Sequence, residues 1–178
     1  MDKFFDLSGK VAVVTGATGI LCSEMARELA RRGAKVAVMG LEDDLTEKIS
    51  SEINAQGGTA IGVVVNVLDK ESLVRAKDTV MKAFGRIDIL INGAGGNMPK
   101  ASIQPDQRFF DLDVNAVRAV IDLNYFGTLY STMVFAEPMC EQGKGSIINI
   151  SSASAERPLT VVMGYGSAKA AVKNLTQW

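Results

Sequence analysis

Tyr165 and Lys169 stand four residues apart near the end of the chain, a spacing that can put a phenol and an ammonium side by side. Positions i and i+4 share one face of a helix. An unperturbed tyrosine has a pKa of about 10 and is a poor base at neutral pH, but a neighbouring cation favours the phenolate and lowers that value. A phenol tuned this way can give a proton to a carbonyl oxygen or take one from an alcohol. Ser152, thirteen residues before Tyr165, could hold the same oxygen by a hydrogen bond. Taken alone, Tyr-x-x-x-Lys is equally an amphipathic helix whose ring packs under a lysine stem. The chain contains no histidine, which removes Ser-His-Asp and Cys-His triads and most zinc catalysis. Acid/base chemistry then falls to Tyr, Lys, Asp, Glu or Cys.

Two glycine turns suggest what such a phenol would work beside. Thr15-Gly16-Ala17-Thr18-Gly19 follows an apolar run and opens a helical pattern. Glycines there let backbone approach a pyrophosphate resting on helix N-terminal N–H groups. Asn92-Gly93-Ala94-Gly95 ends another apolar run and would flank the same crevice, outside the carboxyl ends of the strands. Each is also compatible with an ordinary strand-end turn. A dinucleotide fold usually places an acid about 20 residues beyond the first turn, on the adenine ribose. Gly40 and Leu41 stand there instead, followed by Glu42, Asp43 and Asp44. No arginine welcomes a 2′-phosphate and three acids would repel one, so NAD is expected over NADP.

The elements that must position these groups alternate strand and helix. Strands are expected at Val11 to Thr15, Lys35 to Met39, Thr59 to Val67, Ile87 to Asn92 and Ser146 to Ser151. Between them, Leu21 to Arg32 carries Leu21, Met25 and Leu29 on one face and stops at Gly33. A second helix, capped by Asp43 or Asp44, repeats Leu45, Ile49 and Ile53 and closes at Gly57-Gly58. Asp69 caps a third through Leu73, Ala76, Val80 and Phe84, ended by Gly85. The stretch from Gly96 to Asp113 reads as a surface excursion, and one long helix covers about Val114 to Cys140. A last helix begins near Gly164 with Ala168, Ala171, Val172 and Leu175 on one side. Near-continuous Val/Ile strands joined by helices predict an α/β fold, a doubly wound parallel sheet of Rossmann-like kind. Residues 1–178 are expected to form a single dinucleotide-binding and catalytic domain. The last helix runs to Trp178 without a stop signal, so the chain is expected to be cut there and to lack its C-terminal part.

Composition narrows the partners. Of 178 residues 47% are hydrophobic and 22% charged, with a net charge of −1, enough for one sizeable core and without the footprint of a nucleic-acid or anionic-membrane binder. No apolar stretch approaches the roughly 20 residues that cross a bilayer, and the N-terminus lacks the apolar centre of a secretion signal. Two cysteines, Cys22 and Cys140, suggest neither a disulfide framework nor a metal site. A cytoplasmic setting and a small-molecule substrate are expected.

The set Thr15-Gly16-x-x-Gly19, Asn92-Gly93-Ala94-Gly95, Asn124, Ser152, Tyr165 and Lys169 resembles the short-chain dehydrogenase/reductases along essentially the whole chain. The resemblance implies hydride transfer between NAD(P) and a secondary alcohol or ketone. It makes Tyr165 the acid/base, Ser152 the substrate positioner, Lys169 the tuner of Tyr165 and holder of the nicotinamide ribose, and Asn124 the anchor of a water relay. Asn124 also reads as a buried helix asparagine bonded to backbone. Cofactor contacts implied are Gly16, Thr18, Gly19, Ile20, Leu41, Asn66, Val67, Asn92, Gly93, Ala94, Gly95, Tyr165 and Lys169. A homo-oligomer, tetramer or dimer, is implied as well. Asn92 through Lys100, Phe109 through Asp113, and Ser151 through Thr160 are similar to the D-mannonate oxidoreductase (fructuronate reductase) type within the family. Lys100 and Arg157 then become candidates for a sugar-acid carboxylate, or are solvated surface charges. Gluconate-type and other ketone reductases, or a non-catalytic dinucleotide-binding module, are the alternatives. Three departures stand out: Leu21 or Cys22 replaces the third fingerprint glycine, Gly93 replaces a second asparagine, and Asn66 replaces an aspartate.

Overall fold

A computed structural model describes residues 3–178. Five strands form one parallel sheet in the order β3-β2-β1-β4-β5: β1 (Val11–Thr15), β2 (Lys35–Gly40), β3 (Thr59–Val64), β4 (Ile89–Asn92) and β5 (Ser146–Asn149). The chain winds outward from β1 to β3, then crosses back to place β4 on the other side of β1. That reversal puts the topological switch between β1 and β4, where Thr15 stands in register with Asn92. The carboxyl ends of those two strands therefore bound the crevice, as a doubly wound sheet requires.

Helices cover both faces: α1 (Ile20–Arg31), α2 (Asp43–Ala55), α3 (Lys70–Phe84), α4 (Val114–Ile121), α5 (Gly127–Glu141) and α6 (Met163–Gln177). One core cluster packs β1, β2 and β4 side chains such as Val13, Met39 and Leu90 against α3 and α5, with Phe135 fully buried. The other packs Val14, Val38 and Ile91 against α1 and α2. Alternate residues of a strand point to opposite faces, so β1, buried along its whole length, feeds both clusters.

Helix ends follow the expected chemistry in part. The Asp69 side chain accepts from Glu71 N, and Gly85 closes α3 in the left-handed region, as the sequence predicts. In α2 the cap is Glu42, without a side-chain hydrogen bond, and Asp43 and Asp44 lie in the first turn. Strands are shorter than expected: β3 ends at Val64, β4 begins at Ile89 and β5 ends at Asn149. Apolar runs overestimate strands because buried loops carry the same residues. Val65 and Val67, for example, are buried beyond the last β3 residue.

Two expected faces are turned. In α1 the buried side is Cys22, Ser23, Ala26 and Ala30, while Leu21 is 69% exposed and Met25 and Leu29 only flank the cluster. Small residues face the sheet because α1 lies close to β1 and β2; the leucine stripe sits at its margin. In α2, Thr46, Ile49, Ser50 and Ile53 are buried and Leu45 is exposed.

The single long helix expected from Val114 to Cys140 is α4 and α5 joined by a π-helical turn, Asp122–Phe126. There Asn124 Nδ2 donates to Val120 O at 2.8 Å, supplying a side-chain donor to a carbonyl where the ladder widens. Between β4 and α4, 3-10 turns at Pro99–Ala101 and Phe109–Asp111 punctuate the surface excursion.

Candidate functional site

The first glycine turn is held against the second by one hydroxyl. Thr15 Oγ1 accepts from Gly93 N at 3.1 Å and Ala94 N at 3.3 Å. Gly16, at φ +68°, passes so close to the second turn that a Cβ would meet Ala94 N at 2.7 Å. At Gly93 a Cβ would lie 2.1 Å from Cys22 Sγ. Two of the departures noted above are thus one: the thiol at the missing third glycine fills the space that a side chain at position 93 would need. Neither Thr15 nor Cys22 figured among the predicted site residues. The end-of-strand position of Thr15 was visible, but its partners became neighbours only through the parallel register of β1 and β4.

Along the switch edge lie two adjoining hollows that share Gly16, Thr18 and Gly95. The first, about 200 Å³, is bordered by Leu41, Asn66, Val67 and Ala94. The second, about 440 Å³, takes in Gly19, Ile20, Gly93, Tyr165 and Lys169. Every predicted cofactor contact except Asn92 borders one or the other. Asn92 is 2% exposed and turns inward, its Nδ2 donating to Thr132 Oγ1 at 2.9 Å and Asn149 Oδ1 at 2.8 Å. Its place is beneath the site, because its strand position directs the side chain toward α5 and β5.

The hollows fit a dinucleotide on chemical grounds. Gly19 precedes α1 as its N-cap, with no side-chain cap and no acid in the first turn, so N–H groups at its positive end face the opening. By contrast α3 carries Asp69 and Glu71 at its start. Glycines at 16, 19 and 95 keep the approach free of side chains.

Lys169 is 4% exposed, and its Nζ donates to Ile150 O, just past β5, at 2.7 Å. That ammonium lies 5.7 Å from the Tyr165 ring centroid, within cation–π range. Burial pushes the Lys169 pKa down, an effect opposed by the Cys22 thiol nearby, whose own pKa burial raises. From across the hollow comes Asn124, wholly buried. Its amide clamps Gly96, accepting from Gly96 N at 3.1 Å and donating to Gly96 O at 2.6 Å. A Cβ on Gly95 would stand 2.6 Å from Asn124 Oδ1 and 3.3 Å from Lys169 Nζ, so both side chains converge on that glycine. All the hydrogen bonds of the Asn124 amide run to backbone.

Ser152 is half-buried; its Oγ accepts from Ser154 N at 3.2 Å and from Ser154 Oγ at 2.9 Å. It follows β5 by three residues and does not border the hollow that holds Tyr165. Lys100 sits at a separate depression with Gln104 and Asp113, where Gln104 Nε2 folds back onto Pro99 O. Arg157 is exposed on the loop before α6. Neither cation borders the Tyr165 hollow.

A second group that sequence reading missed lies below the pair. Asn92 and Asn149 are register partners on β4 and β5, and Asn149 Nδ2 donates to Thr176 Oγ1 at 2.9 Å. Thr176 in turn donates to Val172 O at 2.7 Å. This polar chain ties α6, which carries Tyr165 and Lys169, to β5, β4 and, through Thr132, α5.

A sequence profile described as short chain dehydrogenase matches residues 10–178. The chain belongs to the short-chain dehydrogenase family. It is 43% identical over 181 residues to an uncharacterised oxidoreductase, UxuB, of Bacillus subtilis, covering 97% of this chain and 65% of that protein. An uncharacterised oxidoreductase of Haemophilus influenzae is 42% identical over 183 residues, covering 97% and 64%. Among solved structures, a candidate D-mannonate oxidoreductase from Haemophilus with bound NAD superposes with a TM-score of 0.91 at 43% identity, covering 97% of this chain and 65% of the other. The short-chain dehydrogenase chain thus spans about 65% of the length of the relatives it matches. Among the described residues no helix is long and apolar enough to cross a membrane, and no cluster of His, Cys, Asp or Glu could hold a metal.

Proposed function

We propose that residues 1–178 form the dinucleotide-binding and proton-transferring domain of an NAD-dependent oxidoreductase that interconverts a secondary alcohol and a ketone on a sugar acid of the D-mannonate/D-fructuronate kind. The observation that carries this reading is that one hollow contains Tyr165, Lys169 and the uncapped start of α1. The nicotinamide ring supplies or accepts the hydride when bound. Lys169, desolvated and fixed by Ile150 O, presents its charge to the Tyr165 ring. Tyr165 passes a proton to the carbonyl oxygen in reduction and takes one from the alcohol in oxidation. Ser152 steadies that oxygen once its Oγ exchanges Ser154 for substrate. Asn124 holds the Gly96 backbone, and with it the floor of the hollow. The cited resemblance to a structure with bound NAD and the acids after β2 favour NAD; a cytoplasmic homo-oligomer, dimer or tetramer, is the expected form.

The test follows absorbance at 340 nm with D-fructuronate, 5-ketogluconate and a simple cyclic ketone, alongside NADH titration by fluorescence. Turnover of the uronate above the other two supports the substrate assignment; turnover of a different ketone alone overturns it. Tyr165→Phe is expected to lower kcat at least about a hundredfold, the scale of general acid/base catalysis, with NADH affinity unchanged. NADH binding without turnover of any ketone would favour a binding module instead.

A further inference from the structure

We infer that Ile103, in the surface excursion between β4 and α4, is a positioning residue for Tyr165: its backbone N–H holds the chain just before α6 and so sets where the phenol ring stands. The inference rests on the proton-transfer reading of Tyr165 above. Tyr165 is the third residue of α6, and nothing local secures that turn. The N-cap residue, Val162, makes no side-chain cap and sits at φ −124° and ψ 48°, where a Ser, Thr, Asp or Asn would have supplied an acceptor. Gly164 and Gly166 flank Tyr165, and glycine weakens a helix. Lys169 is fixed separately, one turn on: its Nζ donates to Ile150 O at 2.7 Å, and its carbonyl accepts from Ser151 Oγ at 3.2 Å. The ammonium is therefore tied to the end of β5, whereas the phenol depends on whatever holds the start of the helix.

That hold comes from the excursion. Ile103 N donates to Val161 O at 3.0 Å, among the described residues the only backbone hydrogen bond between the excursion and residues 152–162. Two positions earlier, Ala101 is 1% exposed and packs with Val117 and Val120 of α4 in the cluster against which Tyr165 rests. Helix α4 also closes on the glycine beside the ring, since a Cβ on Gly164 would meet Val117 Cγ1 at 3.0 Å. The excursion is itself braced, Asn97 Nδ2 donating to Ser102 Oγ at 2.8 Å and Gln104 Nε2 to Pro99 O at 3.0 Å. It starts at Gly96, which Asn124 clamps. It thus straps the floor of the hollow to the start of α6. Releasing the strap displaces the ring, and a misplacement on the order of 1 Å is felt in the chemical step.

The experiment introduces 3-fluorotyrosine at the three tyrosines and assigns the Tyr165 fluorine NMR signal by its loss in Tyr165→Phe. Ile103→Pro deletes the N–H and suits its place, because Ser102, at φ −111° and ψ 140°, already has the extended conformation that precedes a proline. It is expected to shift the Tyr165 signal alone, to lower kcat about tenfold and to leave the Kd for NADH within about twofold. Ile103→Ala, which keeps the N–H, should match the wild type in that signal and within about twofold in kcat. Ala101→Gly, a smaller change at the second anchor, should move the same signal, and decides the matter if Ile103→Pro does not fold. An unmoved Tyr165 signal would overturn the inference. So would equal movement of the Tyr125 and Tyr130 signals, which would mean general loosening, or equal effects of Ile103→Ala and Ile103→Pro. If Tyr165→Phe kept full turnover, the proton-transfer reading would fail, while the fluorine signals would still decide whether Ile103 holds the ring.

Discussion

The two halves of the sheet differ in what is added to their apolar packing. Around β1 and β2 every strand residue except Lys35 is buried, and the glycine turns are fixed by shape: Gly16 against Ala94, Gly93 against Cys22, Gly40 against Thr18. At the other edge Ser146, Ile147 and Ile148 of β5 are exposed. There α6 is moored by polar links, the Asn92–Asn149–Thr176 chain and the bond from Lys169 to Ile150. The half around β1 and β2 is therefore close-packed and intolerant of added volume. The half that carries Tyr165 and Lys169 buries Ala168 and Val172 of α6 and packs Tyr165 on Val117 and Val120, and adds a few hydrogen bonds, each worth about 1 kcal/mol.

The largest expected effect lies at the seam between the halves, opposite the glycine turns. Asp88, 5% exposed, accepts from Val11 N at 3.0 Å and from Arg86 Nε at 2.7 Å and Nη2 at 2.5 Å. Burial opposes its charge, but the Arg86 and Val11 hydrogen bonds and the Arg86 and Lys10 charges outweigh that and hold its pKa below the carboxylate value. Asp88→Ala is expected to cost about 3 kcal/mol in urea unfolding, the upper end for losing a charged acceptor and leaving a buried N–H, that of Val11, unsatisfied. Because the folded pKa is lowered, this stabilisation is present above the unfolded value of 3.8 and is lost as pH falls through the folded one. The wild type should therefore lose stability more steeply than Asp88→Ala below about pH 4; parallel acid profiles would contradict the assignment.

Next comes the pair that shares one volume. Gly93→Ala should destabilise by about 2 kcal/mol, since its Cβ meets Cys22 Sγ. Adding Cys22→Ala should recover about half, the remainder lying in the 2.9 Å approach to Thr15 O. A double-mutant cycle reads this coupling, and additive costs would show that the thiol does not fill that space. Asn149→Ala should cost about 1 kcal/mol yet speed amide hydrogen exchange in α6 selectively, with β1 and β2 unaffected. Uniform acceleration would mean that the two halves do not come loose separately. At the small end, Leu21→Ser should change stability by less than about 0.5 kcal/mol, because the residue lies outside the core despite its place in an apolar stripe.

Much of this was legible from residue order. Parallel α/β winding, the crevice between β1 and β4, the Asp69 cap and the Gly85 stop all follow from local chemistry. So did the glycine-lined approach to Tyr165 and Lys169. Patterns that depend on a partner were not legible. The Leu21-Met25-Leu29 stripe looked like a core face until the close approach of α1 selected Cys22, Ala26 and Ala30. Asn92 reads as a cofactor contact, while its side-chain bond to Asn149 is visible only once β5 lies beside it. The helix from Val114 read as continuous because nothing local signals a π turn; the turn goes with an Asn124 amide engaged to Val120 and Gly96.

By itself the sequence determined the identity and order of the elements and which residue types could move a proton or admit a phosphate, since propensities, caps and glycine turns act within a few residues. Tertiary structure alone decided which side chains share a volume or a hydrogen bond. Strand register and helix approach place Cys22 against Gly93, Thr18 in the room Gly40 leaves, and Lys169 against Ile150 O. Such contacts join residues tens of positions apart, and chain order carries no record of the distances that make them.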